Sequence, residues 1–376
     1  MNAKLLKILI YISGVVCLYA FIAIRIHPLF NAILKEKIMP GYWENTKYGE
    51  LYYFNFIHEF REKGLPEYRT KYRFTKKSPT LDKADLVLFG DSFFDFSRME
   101  TIPEKLKDTL GLNVFYARYD RPMKYLEENG YQNNHEKLMI YESAERYIPT
   151  RFTKPQPDYS PDPRSKFRQD MAKVRDFIFV PDKELLYNTL LYRSYPTTGI
   201  YSFLSTLKFN VFGYITKFTP EYYLGGKTPW LFYYDQMNDE PGSFYYNYSK
   251  DEINTYCDNI KDLSDRLYKK YKLKMIFMAI PSKYSIYHTL LNNDKYNDFI
   301  PRLYAGLRER DIPVVPVYRD FISADTVLYY GTDTHWNKKG RNIALDNTIE
   351  VLDSINYKKN IYESNSLSWR VRNKDK

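Results

Sequence analysis

The sequence predicts an α/β protein built on a doubly wound, mostly parallel sheet. Short apolar segments typical of buried strands alternate with longer segments in which apolar residues recur at helical spacing. Such alternation indicates helices on both faces of a sheet, because each crossover between parallel strands carries a helix. An apolar N-terminal segment and an aromatic-rich stretch at about residues 150–250 interrupt this pattern. We interpret them as additions to the sheet.

The elements are expected in a regular order along the chain. Strands are predicted at residues 85–89, 112–119, 137–142, 274–280 and 313–317. Helices are predicted at residues 251–271, 295–310 and 337–351. The expected organisation is a membrane segment at 1–27, a linker or accessory segment at 28–80, the α/β domain at 81–355 with its insertion, and a tail at 356–376.

The composition of the 376 residues fits a globular protein. Apolar residues make up 44% and charged residues 27%, which excludes a disordered or collagen-like chain. Two cysteines exclude a disulfide-rich scaffold and a four-cysteine zinc site. The net charge of +10 is spread along the chain, so we expect no nucleic acid partner. The 39 tyrosines fit either sugar-binding surfaces or a compositional bias of the genome.

Residues 5–24 predict a transmembrane helix. Lys7 is their one charged residue, and twenty helical residues span about 30 Å, the thickness of a bilayer core. Lys4 and Lys7 form a short positive flank, and no small-residue cleavage site follows. We therefore expect an uncleaved signal-anchor in the cell membrane, with the rest of the chain outside the cytoplasm. A buried helix of a soluble domain is the alternative.

The first chemical motif is Gly90-Asp91-Ser92-Phe93, which directly follows the first predicted strand. A serine at the carboxyl end of a central strand lies where open α/β sheets bind ligands. Gly90 allows a tight turn, and the amides that follow can stabilise an oxyanion. Asp91 is expected to bind loop amides. In the alternative interpretation this is an ordinary turn in which Ser92 caps a helix.

The second motif is Asp333-Thr334-His335-Trp336, before the last predicted helix. A carboxylate two residues from an imidazole can fix its tautomer and support the imidazolium. His335 would then be the general base for Ser92, and Trp336 would wall the site. These motifs together predict a Ser92-His335-Asp333 triad. The alternative is a capping loop with a surface histidine. A metal site would need a third ligand beside Asp333 and His335, and the sequence suggests none, so we expect no metal. We also expect no cofactor.

These motifs resemble those of the SGNH/GDSL hydrolase superfamily, and Asp333-Thr334-His335-Trp336 resembles the SGNH-like domains of alginate O-acetyltransferases of the AlgX and AlgJ type. Two further segments, residues 280–283 and 141–147, are similar to parts of those domains. The resemblance covers roughly residues 80–355, and it implies a three-layer, flavodoxin-like fold.

Several positions depart from the family pattern. The serine motif comes first here, whereas in AlgX the Asp-x-His-Trp motif precedes it. The usual glycine after the second strand is absent, and Glu142 and Arg146 stand where the third block usually has asparagine. The oxyanion hole would then use the Ser92 N–H with a substitute donor, Arg118 or Arg146. The full set of oxyanion and substrate candidates is Asp91, Phe93, Arg118, Glu142, Arg146, Lys283 and Trp336. An ion pair between Glu142 and Arg146 is an equal alternative.

What the resemblance implies is acyl-ester chemistry outside the cytoplasm. Ser92 would accept an acetyl group and pass it to a hydroxyl of a polysaccharide or oligosaccharide acceptor, with a membrane-bound O-acyltransferase as a donor partner. An esterase uses the same steps with water as acceptor. The motifs also leave room for a non-catalytic polysaccharide-assembly protein, or for a lipid-active or D-alanyl-transfer protein.

Two further features allow two interpretations each. Lys283 either binds an anionic group of the glycan or is a solvated loop residue. The aromatic residues of the insertion form either a lid and glycan platform or a self-packed core. They are Tyr222, Tyr223, Trp230, Tyr233, Tyr234, Tyr245 and Tyr246.

Overall fold

A computed structural model describes most of the chain in two compact units. The described residues are 3–25, 48–66, 80–157 without 97 and 119, scattered positions from 167 to 174, and 197–355 without 293. The first unit comprises residues 1–48, 55–59 and 160–214, and the second comprises residues 49–54, 60–159 and 215–376. The candidate site lies entirely within the second unit.

The elements of both units are numbered in chain order. The described helices are α1 (Ala3–Arg25), α2 (Tyr52–Asn55), α3 (Ile102–Leu110), α4 (Pro122–Glu128), α5 (Ile148–Phe152), α6 (Thr197–Phe212), α7 (Lys250–Tyr271), α8 (Lys283–Tyr287), α9 (Phe299–Arg308), α10 (Val317–Ile322) and α11 (Lys338–Ser354). The described strands are β1 (Leu86–Gly90), β2 (Val114–Arg118), β3 (Lys137–Ala144), β4 (Glu221–Tyr223), β5 (Trp230–Phe232) and β6 (Leu273–Ile280). Short 3₁₀ turns are His58–Phe60, Leu81–Lys83, Glu145–Tyr147, Tyr234–Gln236 and His288–Leu290.

The N-terminal apolar segment is helical, as α1. Within the described part of the chain, no helix reaches the length and apolar character needed to cross a membrane. The predicted membrane anchor therefore stays a prediction.

The second unit contains the parallel sheet that the sequence predicts. Its strand order is β2-β1-β3-β6, and every neighbouring pair is parallel. Side chains alternate between two buried clusters. Val87 and Phe89 of β1 face the cluster that contains residues of α7 and α9, whereas Leu86 and Leu88 face the cluster with residues of α3 and α11. Because both faces are covered, the strands are mostly apolar. The α/β prediction with a parallel sheet is confirmed.

The predicted strand at 313–317 is reduced to a single parallel bridge between Phe277 and Val314. The Phe277 N–H donates to the Pro313 carbonyl, and the Val315 N–H donates to the Phe277 carbonyl, both at 2.9 Å. Pro313 and Pro316 have no N–H, so the ladder cannot extend as in a full strand. The chain instead turns into α10 at Val317.

The predicted helices occur with small changes at their starts. α7 begins after Ser249, whose hydroxyl forms a capping box with Glu252. α9 begins at Phe299, four residues later than predicted, because Asp298 takes a left-handed conformation with φ of 54°. The Asn337 side chain accepts hydrogen bonds from the first amides of α11.

The aromatic insertion holds a two-stranded antiparallel hairpin, β4-β5. Near it lies a buried cluster whose members are Trp230, Phe232, Met237, Phe244 and Tyr284. The Phe232 and Tyr284 rings meet edge to face with centroids 5.3 Å apart. This packing favours the self-packed core over an open glycan platform for Trp230, whereas Tyr234 is 46% exposed.

Candidate active site

The two sequence motifs meet at the carboxyl end of β1. Ser92 Oγ lies 2.7 Å from His335 Nε2, and His335 Nδ1 lies 2.7 Å from Asp333 Oδ1. Asp333 and His335 are buried, while Ser92 is half-buried. These are the contacts that a nucleophile, a general base and an orienting carboxylate require.

The charges around this trio favour an ionised Asp333 and a basic His335. Burial raises the pKa of Asp333, but the hydrogen bond and charge of His335 and the charge of Arg98 outweigh it and hold the pKa below its usual value. Arg98 Nε lies 3.6 Å from Asp333 Oδ2. Burial also disfavours the charged form of His335 and so lowers its pKa. Glu50 and Asp333 outweigh this effect and together raise the pKa of His335 above its usual value.

Aromatic rings fix the imidazole in place. The Phe96 ring stacks on His335 with centroids 4.1 Å apart and an angle of 6°. Phe93 lies 5.0 Å from the same ring and contacts Trp336 edge to face. Trp336 is fully buried and also packs against Phe321, so it supports Phe93 from the core and does not wall the site. Phe96 carried no recognisable signal in the sequence.

The serine turn is held by acidic side chains. Asp91 accepts hydrogen bonds from the amides of Phe93 and Ala144, each at 3.1 Å, so it binds loop amides as expected. Glu142 Oε2 accepts the Asp91 N–H at 2.7 Å. A Cβ on Gly90 would lie 2.4 Å from that oxygen, so only glycine fits between β1 and Glu142.

This arrangement limits the donors available for an oxyanion. The Asp91 and Phe93 amides are already engaged, which leaves the Ser92 N–H as the backbone donor of the turn. Burial and the nearby Asp91 raise the pKa of Glu142 well above its usual value, which favours a neutral carboxyl group. Among the described residues, Glu142 and Arg146 form no ion pair with each other. The alternative that these two residues serve as a structural ion pair is therefore wrong.

The two candidate arginines differ in their surroundings. The Arg118 side chain is 60% exposed and lies 4.0 Å from Asp95. Arg146 is half-buried, with its guanidinium 4.6 Å from the Tyr147 ring centre and 5.8 Å from that of Tyr233. The Arg146 charge acts to lower the pKa of His335, so it is felt inside the site. Of the two arginines, Arg146 is better placed to stabilise an oxyanion at Ser92.

Lys283 is neither solvated nor open to a substrate. It is fully buried, and its ammonium donates to the carbonyls of Gly331 at 2.8 Å, Asp333 at 3.0 Å and Tyr330 at 3.4 Å. Burial lowers its pKa to about 7, although Glu62 and nearby acids oppose this. Lys283 therefore holds the loop that carries Asp333 and His335.

Sequence analysis missed two glutamates from the segment interpreted as a linker. Glu62 accepts hydrogen bonds from the Thr332 amide at 2.8 Å and its hydroxyl at 2.9 Å. Glu50 accepts from the Thr334 amide at 3.1 Å and from its hydroxyl. Both lie about 270 or more residues from their partners in the chain, so no local pattern could reveal them.

A candidate metal-binding trio exists among the described residues. One ligand-type atom each of Glu50, Asp333 and His335 lies within 4.8 Å of the others. Nδ1 of His335 and Oδ1 of Asp333 are, however, hydrogen-bonded to each other. Two of the three potential metal ligands are thus engaged in a hydrogen bond with each other, and their geometry fits a catalytic pair better than a metal centre.

A cavity of about 600 Å³ opens near the serine turn. Tyr147 and Arg151 are among its lining residues. Arg151 donates to Ser143 Oγ at 2.8 Å, and its guanidinium lies 4.0 Å from Asp91 Oδ2. Through Arg151 the cavity wall is therefore linked to Asp91, the residue next to Ser92.

Comparison with known proteins agrees with the geometry of the site. No curated protein sequence matches the chain significantly. One crystal structure aligns over 74% of this chain and 99% of its own with 9% identity, but a TM-score of 0.29 is too low to support an argument. Residues 224–366 match the family model of the SGNH hydrolase-like domain of the acetyltransferase AlgX. Over this part, which carries Asp333 and His335 but not Ser92, the chain is similar to the AlgX-type SGNH domain.

Proposed function

We propose that the protein is a serine O-acetyltransferase that modifies a polysaccharide outside the cytoplasm. The observation that carries this proposal is the pair of 2.7 Å contacts that link Ser92, His335 and Asp333. The AlgX-type match supports an acetyltransferase- or esterase-type fold.

The first step is formation of an acetyl-enzyme. His335 Nε2 takes the proton from Ser92 Oγ as the oxygen attacks the acetyl carbonyl of the donor. The Ser92 N–H and the Arg146 guanidinium stabilise the oxyanion. Asp333 supports the imidazolium, which then protonates the leaving group as the carbon–oxygen bond of the donor breaks.

The second step transfers the acetyl group to a sugar. A glycan hydroxyl gives its proton to His335 and attacks the acetyl-Ser92 carbonyl. The Ser92–acetyl bond breaks, and Ser92 recovers its proton. With water in place of the hydroxyl, the same steps give an esterase, so exclusion of water decides between the two activities.

The proposal also includes a membrane anchor at α1 and a membrane-bound acyltransferase as donor partner. Large apolar side chains along α1 are 50–74% exposed, including Ile10, Tyr11 and Val15. Exposed apolar surface of this extent needs to be covered, and a bilayer is the cover we propose. Extraction of the full chain from membranes by carbonate would contradict an integral anchor.

The function is tested with the full chain, an activated acetyl ester and a panel of oligosaccharides. Mass spectrometry follows acetyl groups on Ser92 and on sugar, with Ser92→Ala as the inactive variant and Ser323→Ala, an exposed serine, as the control. Acetyl transfer through Ser92 to sugar is expected. Release to water with every sugar would identify an esterase, and no Ser92-dependent reaction would favour a non-catalytic assembly role.

A further inference from the structure

Two carboxylates, from distant parts of the chain, approach the catalytic imidazole. Asp333 Oδ1 lies 2.7 Å from His335 Nδ1, and Glu50 Oε1 lies 3.7 Å from the same atom. The Glu50 side chain is 40% exposed, whereas that of Asp333 is fully buried. At 3.7 Å Glu50 is beyond hydrogen-bond distance, so it acts on the ring through its charge.

The position of Glu50 is fixed by the loop between the two catalytic residues. Its Oε1 accepts the amide and the hydroxyl of Thr334, the residue between Asp333 and His335. The Leu51 N–H donates to the Thr332 carbonyl at 2.9 Å. Gly49 permits this approach, because it has φ of 93° and a Cβ there would lie 2.3 Å from that carbonyl oxygen.

We propose that Glu50 is a positioning residue of the Ser92 reaction, a second carboxylate that holds Thr334 and stabilises the His335 imidazolium. The inference rests on the proposed function, since the imidazolium forms when His335 accepts the Ser92 proton. Glu50 thereby belongs to the site. Removal of the Glu50 charge should destabilise the imidazolium while the Asp333 contact stays in place.

Other charged groups also face His335. Asp333 and Asp95 favour its protonated form, and Arg146 disfavours it. Arg98 acts indirectly, through its contact with Asp333. Burial alone disfavours the imidazolium, so the raised pKa of His335 depends on these carboxylates together. Glu50 contributes in this direction from outside the Asp-x-His motif.

The test is the pKa of the His335 imidazole, followed by NMR in the full chain with labelled histidine. Glu50→Gln is expected to lower that pKa and to move the acidic limb of the pH–rate profile down by the same amount. Glu50→Asp should restore part of the shift. Glu62→Gln is the matched control, because Glu62 accepts hydrogen bonds from Thr332 in the same loop and makes no described contact with His335.

An unchanged His335 pKa in Glu50→Gln would overturn the inference, as would an equal shift in Glu62→Gln. If Glu50→Gln does not fold, Thr334→Val removes the hydroxyl donor to Glu50 and keeps the amide contact, so it should lower the same pKa by a smaller amount. The titration needs no turnover. Failure of the proposed function would appear separately, as absence of Ser92 acetylation in the unaltered protein.

Discussion

The two sides of the active site are built to different degrees. On the imidazole side, His335 is held by Asp333, stacked by Phe96 and approached by Glu50. On the oxyanion side, the described structure offers the Ser92 amide and one half-buried arginine, Arg146. In the proposed reaction, the general base would thus be in place before substrate binds, whereas oxyanion stabilisation would depend on fewer groups.

The two sides of the site differ in how much they contribute to folding stability and how much to the proposed reaction. Most contacts on the imidazole side also hold the 331–335 loop on the sheet, so they contribute to stability as well as to chemistry. A side chain on the oxyanion side holds no such loop, so it contributes less to the stability of the free protein. Its removal should affect the transition state more than folding.

The largest expected effect is that of Asp333→Asn. An amide cannot support the imidazolium and favours the wrong tautomer, so acetylation of Ser92 should fall by about 10⁴-fold. Acetyl-Ser92 formed per second, measured by mass spectrometry, checks this. Asp320→Asn, in α10, is the control and should leave the rate unchanged. A loss below tenfold would show that the imidazole side is less important than its geometry indicates.

Arg146→Gln should have a smaller effect, confined to the rate. Loss of one oxyanion donor typically costs about 10²-fold in kcat. The thermal unfolding midpoint should change little, because Arg146 is half-buried and its described contacts are with the rings of Tyr147 and Tyr233. Arg118→Gln is the matched comparison and should keep nearly full activity. Full activity in Arg146→Gln would remove Arg146 from the catalytic residues.

Lys283→Met should mainly affect stability. The substitution leaves the carbonyls of Tyr330, Gly331 and Asp333 without their buried donor, which should cost about 2 kcal/mol in the free energy of unfolding. Urea unfolding measures this, with the exposed Lys274→Met as control. If Lys283→Met unfolds like the unaltered protein, Lys283 does not hold the loop, and the contrast between the two sides weakens.

The sequence predicts what depends on local pattern. The strands near 86–90, 137–144 and 273–280 follow from short apolar runs, because a buried parallel strand is apolar on both faces. Ser92 is identifiable because it follows a strand in a short motif, and the Asp333-His335 pair because it lies in a short motif before a helix. The 2.7 Å contact between Ser92 Oγ and His335 Nε2 depends on the arrangement of the elements in space, which a sequence suggests only in outline.

What the sequence does not predict depends on contacts between distant residues. Glu50 and Glu62 have no signal, because a glutamate before an irregular segment looks like any surface acid. Lys283 follows a strand and a proline, where a lysine is usually solvated, and only the fold shows its burial. The segment at 313–317 has the apolar pattern of a strand, but its two prolines remove the donors that a ladder needs.

Those prolines also affect how copies of the protein meet. The segment that contains Val314 lies on the far side of β6, where the parallel sheet would otherwise offer a row of free amide groups. Pro316 has no N–H to donate at this border, and the chain turns into α10 at Val317. A strand from a neighbouring molecule therefore has little to pair with at this border. We expect the border to resist the edge-to-edge association through which exposed sheets aggregate.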